Sequence, residues 1–121
     1  MSSTLCSDEL KDRTKQFGLR VIRVVQSLDS DRMGRTIGNQ LIRCGTSVGA
    51  NYRAACRARS PAEFRSKLGI VEEETDEAIY WMEMLIEAEL VSEQRLHDLV
   101  KEANEILAII VTSINTSRRN K

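Results

Sequence analysis

The sequence predicts an all-α protein whose four helices pack as an antiparallel, up-down-up-down bundle. Apolar residues recur at steps of three and four along most of the 121 residues, which is the spacing of one helix face. Proline occurs once, aromatic residues are few, and no alternating run typical of a strand stands out. Residues 1–121 therefore form one domain, which is long enough to bury a core of its own.

The first two helices are predicted over residues 7–28 and 35–58, with a turn at 29–34. The apolar face of the first consists of Leu10, Phe17, Val21, Val24 and Leu28. The face of the second consists of Ile37, Leu41, Cys44, Val48, Asn51 or Tyr52, and Ala55. Beside it run Gly38, Gly45 and Gly49, and each glycine within a helix costs about 1 kcal/mol relative to alanine. Because the apolar spacing continues through them, we expect the close approach of another backbone rather than a break.

The third helix, predicted over residues 61–89, has the strongest start signal in the chain. Ser60, Pro61 and Glu63 form a capping box with proline at the first helical position. Its apolar face consists of Phe64, Leu68, Val71, Thr75, Ala78, Met82, Leu85 and Glu89. The fourth helix is predicted over residues 93–115, with Leu96, Leu99, Ala103, Ile106, Ile110 and Ile114 on its apolar face. The polar tail at 116–121 is expected to fray.

Charge is balanced overall but is distributed unevenly. The formal net charge is zero, which predicts no general attraction to nucleic acid or to an anionic membrane. Residues 72–89 carry eight acids and no base. Residues 43–67 carry one acid, Glu63, and six basic residues: Arg43, Arg53, Arg57, Arg59, Arg65 and Lys67. The basic block could bind phosphates, with Tyr52 stacking on a base, or it could meet the acidic block of a neighbouring subunit. The neutral total favours the subunit contact.

No pattern of reactive residues predicts catalysis, a metal or a cofactor. Glu74 and Glu77 have the spacing of a di-iron helix, but no glutamate lies three residues before the only histidine, His97. Three cysteines without a paired spacing argue against a disulfide framework or a zinc site. Cys6 is expected to be an exposed free thiol. Cys44 is expected to be a small buried side chain. Cys56, beside Arg57, is either the same or a reactive thiol.

Localisation is predicted to be cytoplasmic. The first residues, MSSTLCSDELKD, lack the apolar core of a signal peptide. The longest strongly apolar run, 106–111, is too short to span a bilayer.

Trp81 lies beside the apolar face of the third helix with Tyr80, where it could anchor a subunit interface or fill the edge of the core.

Several of these segments together resemble a known family. They are SVGANY at 47–52, SPAEF at 60–64, Lys67-Leu68, Glu74, Glu77 and YWM at 80–82. In order and spacing they resemble the bacterial four helix bundle protein family. That family includes proteins encoded by intervening sequences within 23S ribosomal RNA genes. It also includes the accessory variability determinants of diversity-generating retroelements. The resemblance covers nearly the whole chain and is densest at 43–85.

The resemblance implies a left-handed antiparallel bundle that assembles as a homopentameric ring and has no enzymatic activity. Together with the charge blocks it implies a subunit interface at Asn51, Arg53, Arg57, Glu74, Glu77 and Trp81. We therefore expect a non-enzymatic interaction or scaffold protein whose main partner is itself. The alternative is an accessory protein that binds nucleic acid and a reverse transcriptase. Members of that kind rely on a strongly basic surface, whereas this chain is neutral. In that alternative, the six basic residues at 43–67 would contact RNA or DNA.

Overall fold

The computed structural model describes residues 6–120, which form four α-helices joined by short turns. The helices are α1 (Asp8–Gln26), α2 (Arg32–Cys56), α3 (Pro61–Glu87) and α4 (Glu93–Arg119). No strand occurs within this part of the chain, so the all-α prediction is confirmed. Each helix packs antiparallel against the next, and α4 returns to make a smaller contact with α1. The four apolar faces meet in one hydrophobic core.

Every helix begins with a side chain that accepts a hydrogen bond from the first turn. The N-cap residues are Ser7, Asp31, Ser60 and Ser92. Asp31 accepts from the backbone N–H of Gly34 at 2.7 Å, which explains why α2 begins at Arg32 rather than at the expected residue 35. At α3 the Ser60 Oγ accepts from the N–H of Glu63 at 3.0 Å, as a capping box requires.

The glycine stripe of α2 faces α1, and the expected close approach is confirmed. A Cβ on Gly45 would lie 2.9 Å from both methyl groups of Val21. A Cβ on Gly49 would lie 3.2 Å from the backbone carbonyl of Thr14. Since α2 carries no side chain at these positions, the backbone of α1 can lie against it.

The core contains nearly all of the residues expected from spacing. On α2, Leu41, Cys44, Val48, Tyr52 and Ala55 are buried. Tyr52 rather than Asn51 is thus the core residue of that turn. The α4 face is buried from Leu96 to Ile114 as expected. Thr14 and Thr75 are also buried, and each hydroxyl donates to the carbonyl oxygen four residues earlier, at 2.9 and 2.7 Å.

The ends of α3 and α4 differ from the expected ones. Glu89, expected on the apolar face of α3, lies beyond the end of the helix with a φ of 61° and is exposed. The tail expected to fray is helical as far as Arg119, because Ser117 is buried and accepts two hydrogen bonds from Arg65 of α3. Lys121 lies outside the described residues.

Candidate interaction surfaces

The expected interface glutamates on α3 are engaged within their own chain. Arg43 of α2 forms ion pairs with Glu74, at 3.3 Å, and with Glu77. The indole Nε1 of Trp81 also donates to a carboxylate oxygen of Glu77, at 3.1 Å. These side chains form a network, so part of the acidic block is neutralised by the chain's own basic block.

The two neighbouring aromatic residues of α3 have different surroundings. Trp81 is half-buried and packs against the core, which favours the edge-filling interpretation of its position. Tyr80 is exposed and meets the Trp81 ring edge to face, with 5.0 Å between the ring centroids. Tyr80 is therefore the aromatic side chain that α3 presents to solvent.

The six basic residues of the 43–67 block do not form one patch. Arg43 lies against α3, and Arg65 reaches Ser117 on α4. Arg59 follows α2, and its backbone N–H donates to Glu63 at 2.6 Å. Arg53 and Arg57 remain exposed together near the end of α2. Of this block, these two arginines are the pair that lines an open groove between α1 and α2.

The groove between α1 and α2, here called the α1–α2 groove, has a volume of about 700 Å³. Its small residues include Gly18 and Gly49, where the two helices approach each other. Its apolar wall includes Leu19, Ile22 and Ala50. Its charged lining has four basic residues, Lys11, Lys15, Arg53 and Arg57, and two acids, Asp8 and Asp12. The groove therefore combines an apolar wall with a net positive rim.

The solvent-facing stripe of α3, here called the outer face of α3, has the opposite charge. At steps of three and four it carries Ile70, Glu73, Glu77, Tyr80, Met84 and Glu87. Ile70, Tyr80 and Met84 are 36%, 51% and 36% exposed. The outer face of α3 therefore exposes three apolar side chains between carboxylates, and we treat it as a candidate interaction surface.

Asn51, the remaining residue of the expected interface, is half-buried on α2. Its Nδ2 donates to the backbone oxygen of Ser47 at 2.9 Å and to the Ser47 hydroxyl at 2.7 Å. Both bonds lie within one turn of the helix and fix the orientation of the amide. Whether Asn51 and the other five residues expected at the subunit interface contact a second copy of the chain is not tested by this structure, so their interface remains a prediction.

A disulfide that the sequence did not predict borders the α1–α2 groove. Cys6 and Cys56 form a disulfide with their Cα atoms 5.4 Å apart. Cys6 is half-buried, so the expectation of an exposed free thiol is wrong. The reason is the antiparallel packing of α1 and α2, which brings the residue before the N-cap of α1 to the last turn of α2. The sequence signal for this neighbourhood was the position of the helix limits, since Cys6 comes just before α1, Cys56 ends α2, and antiparallel packing of consecutive helices brings these two ends together.

The side chains that could bind a metal or act as a nucleophile lie apart from one another within residues 6–120. Within residues 6–120, no three histidine, cysteine or acidic side chains gather in a way that could hold a metal ion. His97 is exposed and its Nδ1 lies 3.2 Å from the carboxylate of Asp98. Cys44 is fully buried, and burial raises its pKa to about 12, so its thiol is protonated and enclosed. No helix of the described chain has the length and apolar character needed to cross a membrane.

Sequence reasoning also missed the polar contact between the first and last helices. Arg13 of α1 holds Glu102 of α4 through two hydrogen bonds and also reaches Glu105 at 3.0 Å. The bonds to Glu102 are the main reason that the pKa of Arg13 lies above its ordinary value, and burial opposes the shift. Arg13 lies on the margin of the apolar face, where an arginine has no spacing signal of its own.

These features define a class of protein: an all-α chain of four helices in which each helix packs antiparallel against the next. Within that class, the chain belongs to the 23S rRNA-intervening sequence protein family, whose family model matches residues 9–112. The family resemblance of the sequence is thus confirmed.

A solved structure has the same fold. It is a protein of unknown function from the S23 ribosomal protein family of Bacteroides thetaiotaomicron VPI-5482, with 31% sequence identity and a TM-score of 0.82. The alignment covers 87% of this chain and 97% of that one. No curated protein sequence matches this chain.

Proposed function

We propose that the protein is a non-enzymatic, self-associating helical protein that acts as an interaction scaffold. In this proposal the outer face of α3 of one copy occupies the α1–α2 groove of the next. The observation that carries it is the presence, on one chain, of exposed apolar side chains flanked by carboxylates on α3 and of an open groove with a net positive rim.

The two surfaces are complementary in chemistry. Tyr80 and Met84 would lie on the apolar wall formed by Leu19 and Ile22, which removes apolar area from water on both sides. The carboxylates flanking the ridge would face the basic rim of the groove. Charge complementarity of this kind orients the partners and speeds their encounter.

The proposed contact can build a closed assembly. A ridge on α3 and a groove between α1 and α2 are different surfaces, so their contact is heterologous and repeats from copy to copy. Such contacts close into a ring when the rotation permits, and the family resemblance suggests five subunits. A standard interface buries about 800 Å² per partner. The chain has 7289 Å² of surface, so each contact would use about a tenth of it.

The interface residues expected from the sequence have distinct places in this proposal. Arg53 and Arg57 line the groove, and Glu77 lies on the ridge. Glu74 and Trp81 flank the ridge and, through Arg43 and Glu77, hold its carboxylates in position. Asn51 lies on α2 within two residues of Arg53.

Light scattering of the purified protein at micromolar concentration tests the proposal. We expect a multiple of the 13.7 kDa chain mass, close to five. Arg53→Glu and Glu73→Arg should each weaken the assembly at least tenfold, and the two together should recover part of the loss. Lys101→Glu, an exposed charge reversal on α4, is the matched control and should change nothing. A monomeric wild type at tens of micromolar would reject self-association.

The same variants test the nucleic-acid alternative. A ring would place five copies of Arg53 and Arg57 in one assembly even though each chain is neutral. Binding to structured RNA should then fall steeply with salt and require both arginines. Failure to bind at low salt would remove this alternative while leaving the scaffold proposal intact.

A further inference from the structure

The disulfide between Cys6 and Cys56 lies at the margin of the protein rather than in its core. Both cysteines are half-buried, and Cys56 is one of the residues that line the open α1–α2 groove. The third cysteine, Cys44, is fully buried among core residues and is free. The described chain therefore has one disulfide that borders an open groove through Cys56 and one enclosed thiol.

The bond connects Cys6, the residue before the N-cap of α1, to the last residue of α2, across a separation of 50 residues. Next to it, Ser7 caps α1 by accepting the N–H of Leu10 at 3.0 Å. The backbone N–H of Ser7 donates to the hydroxyl of Tyr52, also at 3.0 Å. Asp8 and Lys11 in the first turns of α1 are part of the groove lining. The disulfide thus supports the helix start that forms one end of the groove.

We propose that Cys6 and Cys56 are a reversible thiol–disulfide site whose substrate is a small-molecule disulfide. Its redox state sets how firmly the first turn of α1 is held at the groove. The consequence for docking rests on the function proposed above, because the groove that it controls is the one that would receive α3. The site itself does not depend on that function.

The small-molecule disulfide is the oxidant in this exchange. The thiolate of one protein cysteine attacks a sulfur of that molecule, which forms a mixed disulfide and releases one small thiol. The thiolate of the second cysteine then attacks the protein sulfur of the mixed disulfide. This step forms the Cys6–Cys56 bond and releases the second small thiol. Two protein thiols are oxidised, one small disulfide is reduced, and the two thiol protons pass to the released thiolates or to solvent.

Two features indicate that the Cys6–Cys56 disulfide is an exchangeable bond rather than a permanent structural one. The groove gives a small molecule access to Cys56, and accessible disulfides are the ones that exchange. Both cysteines pack against the edge of the core, but the buried residues that form it come from all four helices and do not include the pair, so we expect the reduced chain to keep its fold. Reduction would loosen the first turn of α1 while α2 and α3 remain packed.

The test is a titration with mixtures of reduced and oxidised glutathione, followed by alkylation in denaturant and mass spectrometry. We expect the number of alkylated cysteines to fall from three to one in a single two-thiol step, with Cys44 remaining. Hydrogen exchange at the amides of Leu10 and Lys11 should be at least tenfold slower in the oxidised protein. Three alkylated cysteines in excess oxidised glutathione, or equal exchange in both states, would overturn the proposal.

Variants separate this site from the assembly. Cys6→Ser and Cys56→Ser should each abolish the two-thiol step, whereas Cys44→Ala, the matched control, should retain it. Light scattering in both redox states completes the test. A two-thiol oxidation step in a protein that is monomeric in both redox states would support the thiol–disulfide site and reject the assembly. An assembly without any redox step would reject the site alone. An assembly whose dissociation constant changes less than threefold between the two states would overturn the link to docking.

Discussion

Arg13 of α1 and Glu102 of α4 form a two-pronged ion pair, with hydrogen bonds of 3.0 and 2.7 Å from the two guanidinium nitrogens. The pair joins the first and last helices, whose contact is smaller than that between consecutive helices. Both side chains are partly shielded, with 29% and 19% of their surfaces exposed. A forked pair of this kind is stronger than an ordinary surface ion pair.

Replacing Arg13 with alanine should therefore lower the free energy of unfolding by about 1–2 kcal/mol, since charged hydrogen bonds and packing are both lost. The denaturation midpoint in urea measures this. Lys11→Ala is the control, because its partner Asp8 is 99% exposed, and it should cost less than about 0.5 kcal/mol. Equal losses for the two variants would contradict the special role of Arg13.

Alanine should have opposite effects at two glycines within helices. At Gly45 the new methyl would meet the Val21 side chain at 2.9 Å, and overpacking should cost about 1–3 kcal/mol. At Gly69 of α3 nothing lies within 4 Å of the added Cβ. There alanine should stabilise by about 0.5–1 kcal/mol, because it favours the helix. Thermal unfolding of the two variants distinguishes the positions, and stabilisation at Gly45 would show that the helices do not approach as closely as described.

Reduction of the disulfide should destabilise the protein without unfolding it. Releasing a cross-link that spans 50 residues raises the entropy of the unfolded chain, with a typical cost of about 2–4 kcal/mol. Urea unfolding with and without reductant measures the difference. The same difference should appear in Cys44→Ala and disappear in Cys6→Ser; its persistence in Cys6→Ser would mean that reductant acts elsewhere.

Stability should decrease in alkaline solution because of Cys44. Burial, followed by the negative charge of Glu77, raises the pKa of its thiol from 9.0 to about 12. Between these values the unfolded chain has lost the thiol proton while the folded chain keeps it. The unfolded state then binds fewer protons, so the free energy of unfolding falls as the pH rises. Burial raises the pKa of Tyr52 as well, which acts in the same direction.

Unfolding free energies at pH 8 and at pH 10.5, for wild type and Cys44→Ala, check this contribution. The thiol can add a slope of at most about 1.4 kcal/mol per pH unit. The variant should lose this part of the alkaline decrease and keep the part due to Tyr52. Identical slopes in the two proteins would show that the Cys44 thiol is not protected by burial.

The sequence by itself determined the four helices, their apolar faces and the close approach of α2 to another backbone. These features are local: spacing assigns Val48 or Ile106 to a buried face, Ser60 marks a helix start, and Gly45 marks a tight contact. The order of the charge blocks along the chain also followed from the sequence, but the side chains that each block contacts did not. Spacing along one helix carries no information on which side chain of another helix lies opposite.

Only the tertiary structure decided the long-range pairs. Cys6 meets Cys56, Arg13 meets Glu102, and the packing of Arg65 on Ser117 keeps the end of α4 helical. It also placed Arg43 against its own acidic block and left Arg53 and Arg57 at a groove. The physical reason is that such pairs depend on the relative rotation and shift of packed helices. The whole set of core contacts fixes these, and no single segment encodes them.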